Sequence, residues 1–217
     1  MAEVRRPGAP EVAVPRKTYP MPDRHHLVIA GNVIRRHEAR IGRPVELPVP
    51  IELIIESTYE ITVDWDEIPE PEETMILGAL HPSSRRIVMN TRHDELFGRV
   101  IGPERFTLAH ELGHWIYDAD DPAQGAFDLL PAADQFCYWR EGGQLSDDLR
   151  IREMNANKLA AHVLLPTHLV MAADIDAVVA DLRGTAALWG VSQRTLQIRL
   201  RNMDLLDRDY SDQLDLQ

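Results

Sequence analysis

Cysteine is nearly absent from this 217-residue chain: Cys137 stands alone. That excludes an intramolecular disulfide framework and fits a reducing compartment. Aromatic residues are few, at 6%, yet a 44% hydrophobic content is ordinary for one globular domain with a sizeable core. Long apolar runs are missing as well. The longest, Leu27 to Ile34, is interrupted by Asn32 and too short to span a bilayer, so no membrane role is expected. Arg5-Arg6 forms a twin-arginine pair, but PGAPEVAVPRK follows without an apolar stretch. The expectation is therefore no export signal and a cytoplasmic location. Basic residues vanish between positions 47 and 80, where nine acids stand without a Lys or Arg. The net charge of −12 opposes DNA and favours a basic partner, although acidity also simply keeps proteins dispersed.

One stretch carries chemistry. Phe106 to Tyr117 reads FTLAHELGHWIY, and His110-Glu111-Leu112-Gly113-His114 within it has the pattern H-E-x-x-H. Residues four apart on a helix lie about 40° apart around its axis, so His110 and His114 share a face. Two imidazoles on one face can bind Zn²⁺ as neighbouring ligands, with Glu111 in reach of a water on the metal as general base. Pro103 and Glu104 suit a first turn after Gly102, and Phe106, Ala109, Gly113 and Ile116 fall at helical spacing. The bland alternative is a core helix that holds two histidines by chance, which the full pattern makes improbable in one chain.

Glu153 is the candidate third ligand. It opens EMNANKLAAHVLLP, where Met154, Ala156, Leu159, Ala160, Val163 and Leu164 are helically spaced and Pro166 marks the end. Asn157 shares the Glu153 face and is placed to hydrogen-bond a metal-binding histidine, fixing its tautomer. His162 is nine residues on, about 180° around the helix, which predicts a surface histidine pointing away from the metal. The competing view of Glu153 is an ordinary solvated glutamate.

FTLAHELGH followed by EMNANKLAAHVLLP resembles the ImmA/IrrE family of bacterial and phage metallopeptidases, over roughly Pro50 to Leu206. The resemblance implies a small α+β, zincin-like (gluzincin) metallopeptidase domain. In it His110, His114 and Glu153 are the zinc ligands and Glu111 is the catalyst. It further implies a protein substrate, a partner helix-turn-helix repressor of the XRE type, whose cleavage relieves repression. Leu159 stands where the family often has Phe, and Leu165 where it often has Met; both stay apolar.

The remaining chain divides into expected segments. Residues 1–22, with Pro7, Pro10, Pro15, Pro20 and Pro22, form a disordered tail; 23–170 the metallopeptidase domain; 171–206 a helical extension; 207–217 an acidic tail. Asp23 is placed to cap a helix that ends near Ile41, before Gly42. Pro50 to Ser57 suggests a short helix, and Thr58 to Asp64 alternates like a strand. Met75–Leu80 and Arg86–Asn90 flank His81-Pro82-Ser83-Ser84, predicting a β-hairpin beside the metal helix. That hairpin is either structural or an edge-strand wall for a substrate. Asp118 to Arg150 is a long connection whose cluster Phe136-Cys137-Tyr138-Trp139 is expected to dock on the domain. Tyr138 is a candidate oxyanion hydrogen-bond donor, and Cys137 either a small buried residue, the preferred view, or an inhibitory zinc ligand.

Thr185 to Leu200, TAALWGVSQRTLQIRL, has helix-turn-helix spacing: small Ala186, turn Gly190, cap Ser192, and aliphatic Val191 and Leu196. No acid occurs between Leu182 and Met203, and Arg194, Arg199 and Arg201 lie on the second helix, with Gln193, Arg194 and Gln197 near its start. Two rivals to the protease follow. One is a DNA-binding transcriptional regulator whose zinc site is structural or regulatory. The other is a partner-binding protein in which the zinc domain is a docking module. The overall negative charge weighs against DNA.

Overall fold

The structure, a computed structural model, describes residues 19–71, 74–119, 135–140 and 147–206. Residues 1–18 of the expected N-terminal tail and all of the expected acidic tail lie outside the described residues. Helix α1 (Asp23–Ile41) ends as predicted at Gly42, whose φ of 71° lets its N–H return to the Glu38 carbonyl. Its start differs: Pro22 precedes the helix and no side chain caps it. Asp23 instead sits in the first turn, where a carboxylate complements the helix dipole. Just before α1, Asn155 accepts from the Met21 N–H at 3.1 Å and donates to the Tyr19 carbonyl at 3.2 Å, pinning this segment to the body.

After α1 come α2 (Ile51–Leu53), continued by a π-helical turn over Ile54–Thr58, and strands β1 (Thr62–Asp66), β2 (Thr74–His81) and β3 (Arg86–Asn90). The strand forecast at Thr58 begins later because the π turn uses Thr58. Helices α3 (Asp94–Arg99) and α4 (Pro103–His114) follow, then strand β4 (Gln135–Arg140) and α5 (Asp147–Leu164). The four strands run in the order β1-β3-β2-β4. β2 and β3 form the predicted antiparallel hairpin, with Ala79 opposite Val88. The hairpin is not an edge, however. β4, which comes from the long acidic connection, pairs antiparallel with β2 through Ile76↔Tyr138 and Ala79↔Phe136, and β1 covers β3 in parallel. The outer strands are therefore β1 and β4, and the hairpin is central.

α4 lies on this sheet and is enclosed: every residue from Thr107 to His114 is buried. A helix buried all round belongs at the centre of a domain. Gly78 of β2 allows the approach, since a Cβ there would come within 2.7 Å of the Thr107 methyl. α5 packs on α4 from one side and on α1 from the other, so it too is covered on two faces.

That second face overturns the surface placement of His162. It is only 3% exposed, turned toward α1, with Nε2 3.4 Å from the Asp23 carboxylate and its ring stacked on His26 at 6.2 Å. The 180° offset from the metal leads to a neighbouring helix rather than to solvent. Burial, followed by the charge of Arg199, pushes the His162 imidazole down to about 4 despite Asp23. Burial lowers His26 too, with Lys158 adding to the effect. The unfolded His162 imidazole, near 6.5, takes its proton before the folded one does, so stability falls as pH drops from about 6.5 toward about 4. For His162 alone the loss between pH 7 and pH 5 comes to about 2 kcal/mol. Urea unfolding at the two pH values checks this: His162→Gln loses part of the pH dependence, and an equal dependence in both proteins contradicts it.

The C-terminal helices are α6 (Thr167–Met171), α7 (Ile175–Ala180), α8 (Leu182–Leu188) and α9 (Gln193–Asn202). Ser192 caps α9 by accepting from the Thr195 N–H at 3.0 Å, and Gly190 makes the preceding turn at φ 66°. Ala186, Val191 and Leu196 are buried between α8 and α9 and the domain. The turn is seated against the start of α4. Gly102 has φ 111°, and any Cβ there would collide with the Ser192 backbone nitrogen. Arg105 of α4 donates to the Gly190 carbonyl at 2.9 Å and also to the Val49 carbonyl.

Candidate metal centre

The α4–α5 crossing sets the geometry of the centre. Gly113, one residue before His114 and about 60° around the axis from His110, faces Ala156 so closely that a Cβ would lie 3.1 Å from the Ala156 Cα and 3.2 Å from its carbonyl oxygen. This contact brings the Glu153 turn of α5 over the His110–His114 face of α4. Gly113→Ala forces the helices apart by a few tenths of an ångström and is expected to destabilise by about 1–3 kcal/mol. Thermal unfolding measures it, and an unchanged midpoint contradicts the tight crossing.

His110, His114 and Glu153 meet as a result. His110 Nε2 lies 2.9 Å from His114 Nε2 and 3.1 Å from Glu153 Oε2, and His114 Nε2 lies 3.3 Å from Glu153 Oε1. One donor atom from each falls within 4.8 Å of the others. Donors on a tetrahedral zinc with bonds of about 2.0–2.2 Å stand about 3.3–3.5 Å apart, so the spacing suits one small cation. Both imidazoles are buried and the carboxylate nearly so. Two imidazole nitrogens and a carboxylate focused on one buried point match the donor chemistry of a divalent metal.

The residues behind this cluster orient it. Asn157, on the Glu153 face of α5, places Oδ1 2.9 Å from His110 Nδ1. An amide oxygen only accepts, so His110 donates from Nδ1 and its Nε2 lone pair points into the cluster, as a metal ligand requires. For Glu153, burial alone would raise the carboxyl. When the two imidazoles also carry protons on Nε2, their hydrogen bonds and charges outweigh burial and hold it at about 2, as a carboxylate. Glu111, one residue beyond His110 on α4, is fully buried. Backbone pairing puts Tyr138 and Cys137 on β4, next to β2; their side chains, and with them the proposed oxyanion and thiolate roles, lie outside the described residues. Sequence spacing had not marked Gly113 and Ala156 as the pair that controls helix separation. Their small size at matching places on two helices was the available signal.

The family model for the peptidase M78, IrrE N-terminal-like domain matches residues 71–201, more than half of the chain. The chain belongs to this family. The match spans both α4 and α5, and thus the whole His-His-Glu cluster of this M78 domain. No curated protein is matched. A solved structure, a Mycobacterium tuberculosis transcriptional regulator, is similar at 18% identity and a TM-score of 0.42, aligned over 82% of this chain and 46% of that one. The chain thus spans under half the length of that regulator. Among the described residues of this M78 protein, no helix is long and apolar enough to cross a membrane.

Proposed function

We propose that the chain is a zinc-dependent endopeptidase of the gluzincin type whose substrate is a helix-turn-helix repressor of the XRE type. The observation that carries this reading is the convergence of His110, His114 and Glu153 in a peptidase-family chain, with Asn157 fixing the His110 tautomer. His110 and His114 would hold Zn²⁺ through Nε2, and Glu153 through its carboxylate. When bound, the ion supplies Lewis-acid activation of a water and of the scissile carbonyl. Glu111 takes the proton from the attacking water and returns it to the departing amine. The repressor as substrate is supported by the ImmA/IrrE resemblance and by the net charge of −12, which attracts a basic DNA-binding protein.

DNA binding by α8 and α9 is the weaker reading. Arg199 does not face solvent: it is buried and donates to the Leu165 carbonyl at 3.1 Å and the Thr167 hydroxyl at 2.6 Å. The start of α9 is pressed against Gly102. Both are features of a helix pair that braces the domain.

Asn157→Ala frees the His110 ring, and zinc affinity is expected to fall about 10–100-fold. Competition against a chromogenic chelator reads it, and unaltered affinity removes Asn157 from the centre. Metal removal tests the reading as a whole. Dialysis against a chelator abolishes repressor cleavage and Zn²⁺ restores it; cleavage that persists without metal overturns the zinc peptidase.

A further inference from the structure

A separate hollow of about 290 Å³ opens where α1 faces the segment after the π turn and the start of β3. Arg36, Arg40 and Arg85 line it, together with Tyr59, Glu60 and Trp115. In a chain of net charge −12, three guanidiniums around one concavity stand out. No carboxylate among the described residues forms an ion pair with any of them, Glu60 included.

Two of the three are held in position by other means. The Arg36 guanidinium lies 5.2 Å from the Tyr59 ring centroid, and that of Arg85 lies 4.9 Å from the Trp115 ring. Stacking on an aromatic face orients the planar fork before any ligand arrives. Arg85 also donates from Nε to the Glu60 carbonyl at 3.1 Å and, through its terminal nitrogen, to the Tyr59 carbonyl. Arg36 and Arg40 stand one turn apart on α1.

The backbone points to the same place. Three described non-glycine residues have positive φ, and two of them, Glu60 at 55° and Arg85 at 52°, line this hollow. Each such conformation costs about 1 kcal/mol or more, and strain of this kind gathers where a chain is shaped for a ligand.

We propose that this hollow binds a small phosphorylated molecule, its phosphate held by Arg36, Arg40 and Arg85. Three guanidiniums less the Glu60 carboxylate leave 3 − 1 = 2 positive charges, and a phosphate monoester carries about −1.5 to −2 at neutral pH. Guanidinium forks bind phosphate oxygens in pairs. The volume is near the lower end of small-ligand pockets, which run from about 300 Å³ upward, and the chain's net charge of −12 favours a small anion over a nucleic-acid backbone.

Calorimetric titration of the full chain with inorganic phosphate and glycerol 3-phosphate tests this, with malonate as a carboxylate comparison. Arg36→Gln and Arg40→Gln are run beside it. Arg40 has no hydrogen-bond or ion-pair partner among the described residues, so its replacement leaves the fold intact. Arg99→Gln, an exposed arginine on α3, controls for net charge. The expected result is saturable binding of both phosphates, roughly tenfold weaker in each pocket variant and unchanged in Arg99→Gln. No saturable phosphate binding, equal affinity in all four proteins, or tighter binding of malonate than of phosphate overturns the assignment.

Discussion

Glu111→Ala is expected to lower the rate of peptide cleavage by about 10²–10⁴-fold, the range for removing a positioned general acid–base group, while zinc content stays at one per chain. The separation of the two readouts is the point. Glu111 is not among the three groups that converge on the cation site, so its loss leaves His110, His114 and Glu153 in place. On the proposed mechanism, what disappears is the proton acceptor for the attacking water and the donor to the departing amine. Glu111→Gln keeps the size of this fully buried side chain and serves as the control for packing. It should be as inactive as the alanine variant and melt within a degree or two of wild type. A Gln variant that cleaves at the wild-type rate contradicts the role.

Glu153→Ala is expected to fail at the earlier step and lose the metal. Zinc sites with four ligands bind with an apparent 10–16 kcal/mol, so one ligand accounts for about 3 kcal/mol, or roughly two orders of magnitude in affinity. Glu153 contacts both imidazoles, at 3.1 Å from His110 and 3.3 Å from His114, so its loss also removes a polar neighbour shared by the two buried rings. Zinc should raise the melting temperature of wild type, since it binds the folded state, and should do so far less for Glu153→Ala. Equal zinc-induced shifts in the two proteins place the third ligand elsewhere.

The parts of the centre that were legible in the sequence are those set by local periodicity. His110 and His114 share a helix face because they are four apart, and Asn157 shares one with Glu153 for the same reason. Periodicity failed where a helix has two buried faces. Spacing sends His162 to solvent only on a helix with one buried face, whereas α5 packs on both α4 and α1 and buries it. It also fell short at the start of α5, which begins at Asp147, six residues before Glu153, in the polar run DDLRIR that carries no apolar stripe. Strand position was the other gap. The β2–β3 hairpin is coded locally by its turn, but its place inside the sheet depends on β4, supplied by a distant and acidic stretch. The α8–α9 turn, with its glycine Gly190 and cap Ser192, was legible as local structure. Its seating against Gly102 and Arg105 is a tertiary fact that spacing does not encode.

The most direct test of the proposed zinc peptidase is to incubate the chain with Zn²⁺ and any helix-turn-helix repressor of the XRE type encoded next to its gene, and to weigh the products by intact mass. Wild type should yield two fragments whose masses sum to the repressor plus one water, and Glu111→Ala should leave the repressor whole. An intact repressor with zinc-loaded wild type, or the same fragments with both proteins, contradicts the account.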